Sequence, residues 1–228
     1  MRSAKYVIPV VIAAAGLALP AAAQRTFEGT IAYTATVGDK QMQISITSRG
    51  QQVRQDFTLP ADAPPEAETY QLFDYVNGSV TTVLPAMKKY TVTNLKTLRD
   101  AMRQGREPRD EDVRKALADI TATHRKETIA GFECEVYSLK STPGDEWCLT
   151  TGLGHFLYFE GATGIGGNAS TAGLMRKFKS GAVVLRMRMR SRNGESMSMV
   201  ATQVDRTVPD AAVFVVPPGF QEVDPLKP

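Results

Sequence analysis

From Phe27 onward, apolar side chains recur at every second position. Phe27, Gly29, Ile31, Tyr33, Ala35 and Val37 form one run, Met42, Ile44 and Ile46 a second after Gly38-Asp39, and Val53, Phe57 and Leu59 a third after Arg49-Gly50. A period of two turns one face of a strand to a core and the other to water, so these runs predict three antiparallel strands joined by short turns. Residues 60–68, rich in Pro and acids, predict a longer loop. Strands are expected next at 70–76, 80–84 and 89–93, with Asn77-Gly78 turning the chain between the first two.

The period then changes. From Asn94, an N-cap candidate, Leu95, Leu98, Ala101 and Met102 keep helical spacing; after residues 105–108, Asp110 is placed to cap a second helix with Val113, Ala116, Leu117 and Ile120 on one face. This predicts a two-helix insertion around 94–120 whose apolar stripes bury against the sheet. Strands resume at 122–129, 132–139 and 146–151. Residues 153–159 are ambiguous; a Gly-rich loop and a short helix at 171–179 follow, then two long strands at 182–190 and 195–206.

The last hairpin permits a register. If Arg192-Asn193-Gly194 is a three-residue loop with Gly194 in the left-handed bulge position, Met187 faces Met199 and Met189 faces Met197. Four of the nine methionines then share one face. They read either as ordinary core or as an adaptable apolar lining for a lipid-like ligand, because unbranched thioethers repack around different shapes. The opposite face carries Arg186, Arg188 and Arg190, which either stay solvated or offer a docking surface to an acidic partner or lipid headgroups.

The N-terminus changes the picture of where the protein works. Arg2 and Lys5 precede an uncharged run at residues 6–19, and Ala21-Ala22-Ala23 supplies small residues for cleavage near Ala23. This is the pattern of a secretory signal peptide over 1–23, too short for the roughly 17–25 residues that span a bilayer. Residues 24–228 are expected to form a single exported β-domain without a transmembrane segment. Loss of Arg2 and Lys5 lowers the formal charge from +3 to +1, which removes the simplest argument for nucleic-acid binding.

Cys134 and Cys148 flank the turn-like Ser141-Thr142-Pro143-Gly144-Asp145 on what read as adjacent strands. In an oxidising compartment they are expected to form a disulfide. A redox or metal pair would need a CxxC spacing or neighbouring histidines. Catalytic residues are not identified. His124 and His155 are separate from each other and from any recognisable nucleophile, and HExxH, GxSxG and calcium-loop patterns are absent. The Asp110-Glu111-Asp112 cluster is what a helix N-terminus favours, so no metal or cofactor is expected.

Several segments, taken in order, carry a resemblance. They are Phe27-Glu28-Gly29-Thr30-Ile31-Ala32-Tyr33, Val53-Arg54-Gln55-Asp56, Lys88-Lys89-Tyr90, Ile129-Ala130-Gly131-Phe132-Glu133-Cys134-Glu135-Val136-Tyr137 and Trp147-Cys148-Leu149-Thr150. The closing ones are Val208-Pro209-Asp210 to Phe214 and Val216-Pro217-Pro218-Gly219-Phe220. Together they resemble a bacterial family of exported domains of unknown function related to the outer-membrane lipoprotein carrier, LolA/LolB-like, superfamily. The resemblance implies an α+β fold: a strongly curved antiparallel sheet of about 10–11 strands, an open half-barrel whose concave side is covered by helices. It also implies that Arg54 helps hold that helical lid; the alternative is an exposed arginine paired with Asp56. In the tail, Asp210 is placed to cap a turn that drops Phe214 into the core, and Pro217-Pro218-Gly219 to end the sheet.

The function expected from these readings is non-catalytic. A periplasmic protein binds or carries a lipid or acyl chain in a groove lined by Met187, Met189, Met197, Met199, Leu98, Met102, Val113 and Leu117. The alternative is a cell-envelope interaction module that meets a protein partner and holds no small ligand. A residual apolar cavity of roughly 300 Å3 or more favours the first, and a concave face filled by its own bulk favours the second.

Overall fold

The structure, a computed structural model, describes residues 26–59, 63–97, 109–156, 178, 181–190 and 196–224. The signal segment, Leu98, Met102, the Gly-rich loop and the final hairpin turn lie outside these residues, as does all of the helix expected at 171–179 except Phe178. Twelve strands form one sheet: β1 (Gly29–Val37), β2 (Lys40–Arg49), β3 (Gln52–Thr58), β4 (Tyr70–Asp74), β5 (Ser79–Leu84), β6 (Lys89–Asn94), β7 (Ile120–Ile129), β8 (Phe132–Leu139), β9 (Glu146–Thr150), β10 (Val183–Arg190), β11 (Ser196–Asp205) and β12 (Gln221–Glu222). One α-helix, α1 (Asp110–Asp119), precedes β7, and residues 95–97 are also helical.

The spatial order is β12-β6-β5-β4-β3-β2-β1-β11-β10-β9-β8-β7, so the sheet is open, with β12 and β7 at its edges. It is strongly curled at one end. Strands β7 and β11 stand four places apart, about 19 Å in a flat sheet, yet their Cα atoms approach within 8 Å.

The alternating pattern does what a period of two requires. Ile31, Tyr33, Ile44, Ile46 and Val53 point to one face and are all but excluded from solvent, each worth about 1.5–3 kcal/mol of burial. The core continues through Phe73 and Val80 on one side and Trp147, Leu149, Leu185 and Met187 on the other. Trp147, Cys148, Leu149 and Thr150 are buried in succession, so β9 is covered on both faces. Gly29 has φ +142°, and a Cβ there would collide with the Asp205 carbonyl oxygen. Only glycine lets β1 lie that close to the end of β11.

Asn94 caps as its position predicts, its Oδ1 accepting from Lys96 N at 2.8 Å. Leu95 after it is buried in the main core. Asp110 does not cap α1. The helix starts from Arg109, whose N–H donates to Asp112 Oδ2 at 3.2 Å, and Asp110 becomes one of three acids in the positive first turn.

The chain end corrects two expectations. Asp210 Oδ1 accepts from Ala212 N at 2.8 Å, and Phe214 is buried behind that turn, as expected. Pro217-Pro218-Gly219, however, does not end the sheet. After Gly219 the chain returns as β12, parallel to β6, with Gln221 N donating to Lys88 O and Val223 N to Tyr90 O, both at 2.9 Å. The prolines cannot donate to a ladder, but the residues beyond them can, and the count rises to twelve strands. On the way, Val216 and Phe220 pack on Tyr70, Leu72 and Val83, a small core on the face opposite the main one.

The arginine stripe is also corrected in part. Arg188 is exposed, whereas Arg186 is buried between Glu127 of β7 and Glu146 of β9. Curling the sheet brings the acids of the outer strands over the β10 cation, which no single strand reveals.

Candidate ligand-binding groove

Hairpin β8-β9 builds the site. Its turn closes over residues 140–145, and a disulfide joins Cys134 to Cys148 with Cα atoms 5.3 Å apart, in the pairing expected from adjacent strands. Cross-strand partners then run in one row over six strands: Tyr137, Trp147, Met187, Met199, Ala35 and Met42. A second row sets Lys126 of β7 opposite Glu135 and Glu135 opposite Leu149. Partners across a ladder share a face, so Tyr137, Glu135, Leu149 and Lys126 project to the side that carries the methionines.

At the β8 end of these rows lies a cavity of about 460 Å3, walled by Phe132, Tyr137, Leu149 and Phe178 and rimmed by Lys126, Glu133, Glu135, Thr150 and Thr151. The Phe178 ring meets the Tyr137 ring edge-on, with centroids 5.0 Å apart. Tyr137 donates its hydroxyl to Glu135 Oε2 at 2.7 Å. Burial first, then the hydrogen bond to Glu135 and its charge, push the phenol above its ordinary range, so it stays protonated and a donor. Lys126 Nζ donates to Glu133 Oε1 at 2.8 Å, and that bond, with the Glu133 charge, holds the ammonium above its usual value.

The four methionines meet in the expected register, Met187 opposite Met199 and Met189 opposite Met197. Met187 and Met199 are 4% and 1% exposed and belong to the main core; Met189 and Met197 are half-buried against it. They do not wall the cavity, which opens beyond Trp147 on the same face. Leu117 is half-buried on α1, and Val113 lies on α1. The signal for the groove was available in the segment Phe132 to Tyr137, where Phe132 and Tyr137 stand beside two acids.

Arg54 projects from β3 on the face opposite Val53. Its guanidinium contacts Asp56, with Nη2 to Oδ1 at 2.6 Å, donates through Nη1 to Val213 O at 3.2 Å, and lies 4.0 Å from the centroid of the Tyr70 ring. Arg49 Nη1 donates similarly to Pro209 O at 3.1 Å. Both arginines therefore clasp the C-terminal strap, residues 208–222. Replacing Arg54 by Leu is expected to cost about 1–2 kcal/mol and to raise hydrogen exchange in 208–222 while leaving 109–119 unchanged. Exchange rising in 109–119 instead would support the lid-holding role.

Among the described residues no helix is long and apolar enough to cross a membrane. Three or more His, Cys, Asp or Glu side chains converge nowhere among them as metal ligands.

The family profile described as "Domain of unknown function (DUF4412)" matches residues 27–220. The chain belongs to the DUF4412 family. Comparison with curated proteins returns no match. Among solved structures, this DUF4412 chain is similar to an uncharacterized conserved protein from Thermus thermophilus, at 9% identity over 86% of this chain and 90% of that one, with a TM-score of 0.48. It is also similar to MucB, solved in complex with periplasmic MucA, at 12% identity over 87% and 57% with a TM-score of 0.43. A LolA superfamily protein from Nitrosomonas europaea matches at 12% identity over 85% and 91%, with a TM-score of 0.34.

Proposed function

We propose that this DUF4412 protein is an exported, non-catalytic binding or carrier domain that takes a hydrophobic ligand, a lipid or acyl chain, into the groove on β8 and β9. The carrying observation is the cavity of about 460 Å3 walled by Phe132, Tyr137, Leu149 and Phe178. That volume falls in the range of small-molecule sites, and Phe132, Tyr137, Leu149 and Phe178 give it apolar contact beside an equal share of polar surface from Lys126, Glu133, Glu135, Thr150 and Thr151. In this reading the segment around 94–120 is the lid; burial of Leu95 in the main core supports its attachment to the sheet. The signal pattern at 1–23 and the disulfide both favour the periplasm.

The interaction-module reading draws on a different observation. Met187 and Met199 already fill the middle of the apolar face, so less of it is left for a ligand than the methionine patch promised. Native mass spectrometry separates the two. Protein isolated gently from the periplasm is expected to carry an additional mass that is lost on denaturation. A bare chain mass in repeated preparations would overturn the carrier reading and leave the protein-partner one.

A further inference from the structure

Charge at the groove rim is unbalanced. Of the three charged residues there, Lys126 is engaged by Glu133 at 2.8 Å. Glu135 accepts the Tyr137 hydroxyl through Oε2, and its Oε1 lies 3.8 Å from His124 Nδ1, too far for a hydrogen bond. Among the described residues no Lys or Arg forms a direct ion pair with Glu135; Lys126, its partner across the ladder, acts on both acids, so the rim keeps one net negative charge. One carboxylate therefore stands beside three aromatic rings, those of Phe132, Tyr137 and Phe178. Aromatic faces attract cations and gain most from those that shed water easily, while an anionic headgroup would meet Glu133 and Glu135 with a single lysine already paired.

We propose that the groove is selective for an organic ammonium group, which seats against Phe132, Tyr137 and Phe178 with Glu135 as its counter-ion. The proposal rests on the groove being the ligand site and adds the chemical class of what enters it. Tyr137, kept protonated, orients the Glu135 carboxylate through Oε2 and leaves Oε1 to the ligand. The aromatic walls take the methyl or methylene groups around the nitrogen. The ammonium group belongs either to a free amine or to the head of an amphiphile.

Calorimetric titration of the protein with decyltrimethylammonium, decanoate and decyl maltoside, each below its micellar concentration, tests this, because the three share one chain length and differ in charge. Moderate salt screens the general field of the surface. The cationic chain is expected to bind about tenfold more tightly than the other two. Glu135→Gln keeps an acceptor for Tyr137 and is expected to abolish that preference, bringing the cationic chain to the affinity that the same variant shows for decyl maltoside. Phe178→Ala is expected to weaken all three. Tetramethylammonium ion alone decides the source: competition by it points to a free amine, and binding only with the chain attached points to an amphiphile head. Equal affinity for the three chains, a preference for decanoate, or a preference that survives Glu135→Gln would overturn the ammonium proposal and leave the groove standing. Failure of all three to bind would overturn the groove as well.

Discussion

Replacing Arg186 by Met is expected to destabilise the domain by about 2–3 kcal/mol, read as a lower midpoint of urea unfolding at neutral pH. Arg186 grips Glu127 with two nitrogens, Nη2 at 2.7 Å and Nε at 3.0 Å, and donates through Nη1 to Glu146 Oε2 at 3.3 Å. Arg125 closes the ring, with Nη2 2.7 Å from Glu146 Oε2 and Nε 3.4 Å from Glu127 Oε1. The four groups tie β7, β9 and β10 across the curl. Met fills nearly the same volume, so the loss reports the orphaned acids rather than a cavity. Removing one partner of a fully buried pair costs about 3–5 kcal/mol. The lower figure applies because the Glu127 and Glu146 side chains, 31% and 19% exposed, recover some hydration.

The same ring predicts how stability responds to acid. Burial by itself would raise the Glu146 carboxyl, but hydrogen bonds from Arg125 and Arg186 outweigh it and hold the group below its ordinary value of 4.5. A folded value below the unfolded one contributes stability above pH ~4.5 that is lost as pH falls through the folded value. With Arg186 gone, Glu146 keeps Arg125 only, so that part of the acid dependence shrinks. A loss below about 1 kcal/mol at neutral pH, with an unchanged acid limb, would reduce the network to a surface ion pair.

Removing the disulfide has an effect of similar size. The bond closes a loop of about 15 residues, worth about 3 kcal/mol through the entropy of the unfolded chain. Both sulfurs are buried, Cys134 at 2% and Cys148 at 0% exposure, so a Cys134→Ala, Cys148→Ala double variant also gives up packing in the core beside β9. At roughly 2–4 °C per kcal/mol for a domain of this size, its melting temperature is expected to fall by about 6–12 °C in differential scanning calorimetry. Coincident melting curves for the two proteins would refute the assignment of the bond as a stabiliser. Thiol titration of denatured, unreduced protein checks the pairing itself, and is expected to find no free sulfhydryl.

The turns and caps were legible because a few neighbouring residues settle them. Asn94 and Asp210 act through their own side chains on N–H groups two residues ahead. The β10-β11 register followed from counting back from one short loop, and it set Met187 against Met199. Strand existence was legible too, since alternation in β1, β2 and β3 directly encodes a buried face. The groove was less so. Phe132, Tyr137 and Phe178 meet only after β8 is placed in the sheet and residue 178 returns to it from about forty positions along the chain.

By itself, then, the order of residues determined a meander of strands, the helical turn after Asn94, a helix opening near Asp110, the partnership of Cys134 with Cys148, and a resemblance to an exported family of unknown function. Only the tertiary structure decided that Arg186 is buried, that Arg54 contacts the C-terminal strap, that β12 returns beside β6, and that Phe132, Tyr137, Leu149 and Phe178 wall a cavity that the four methionines do not line. Those contacts join residues such as Arg186 and Glu127, 59 positions apart, or Arg54 and Val213, 159 apart. Local periodicity settles which side of a strand is apolar; which distant strand or strap comes to face it depends on how the whole sheet curls.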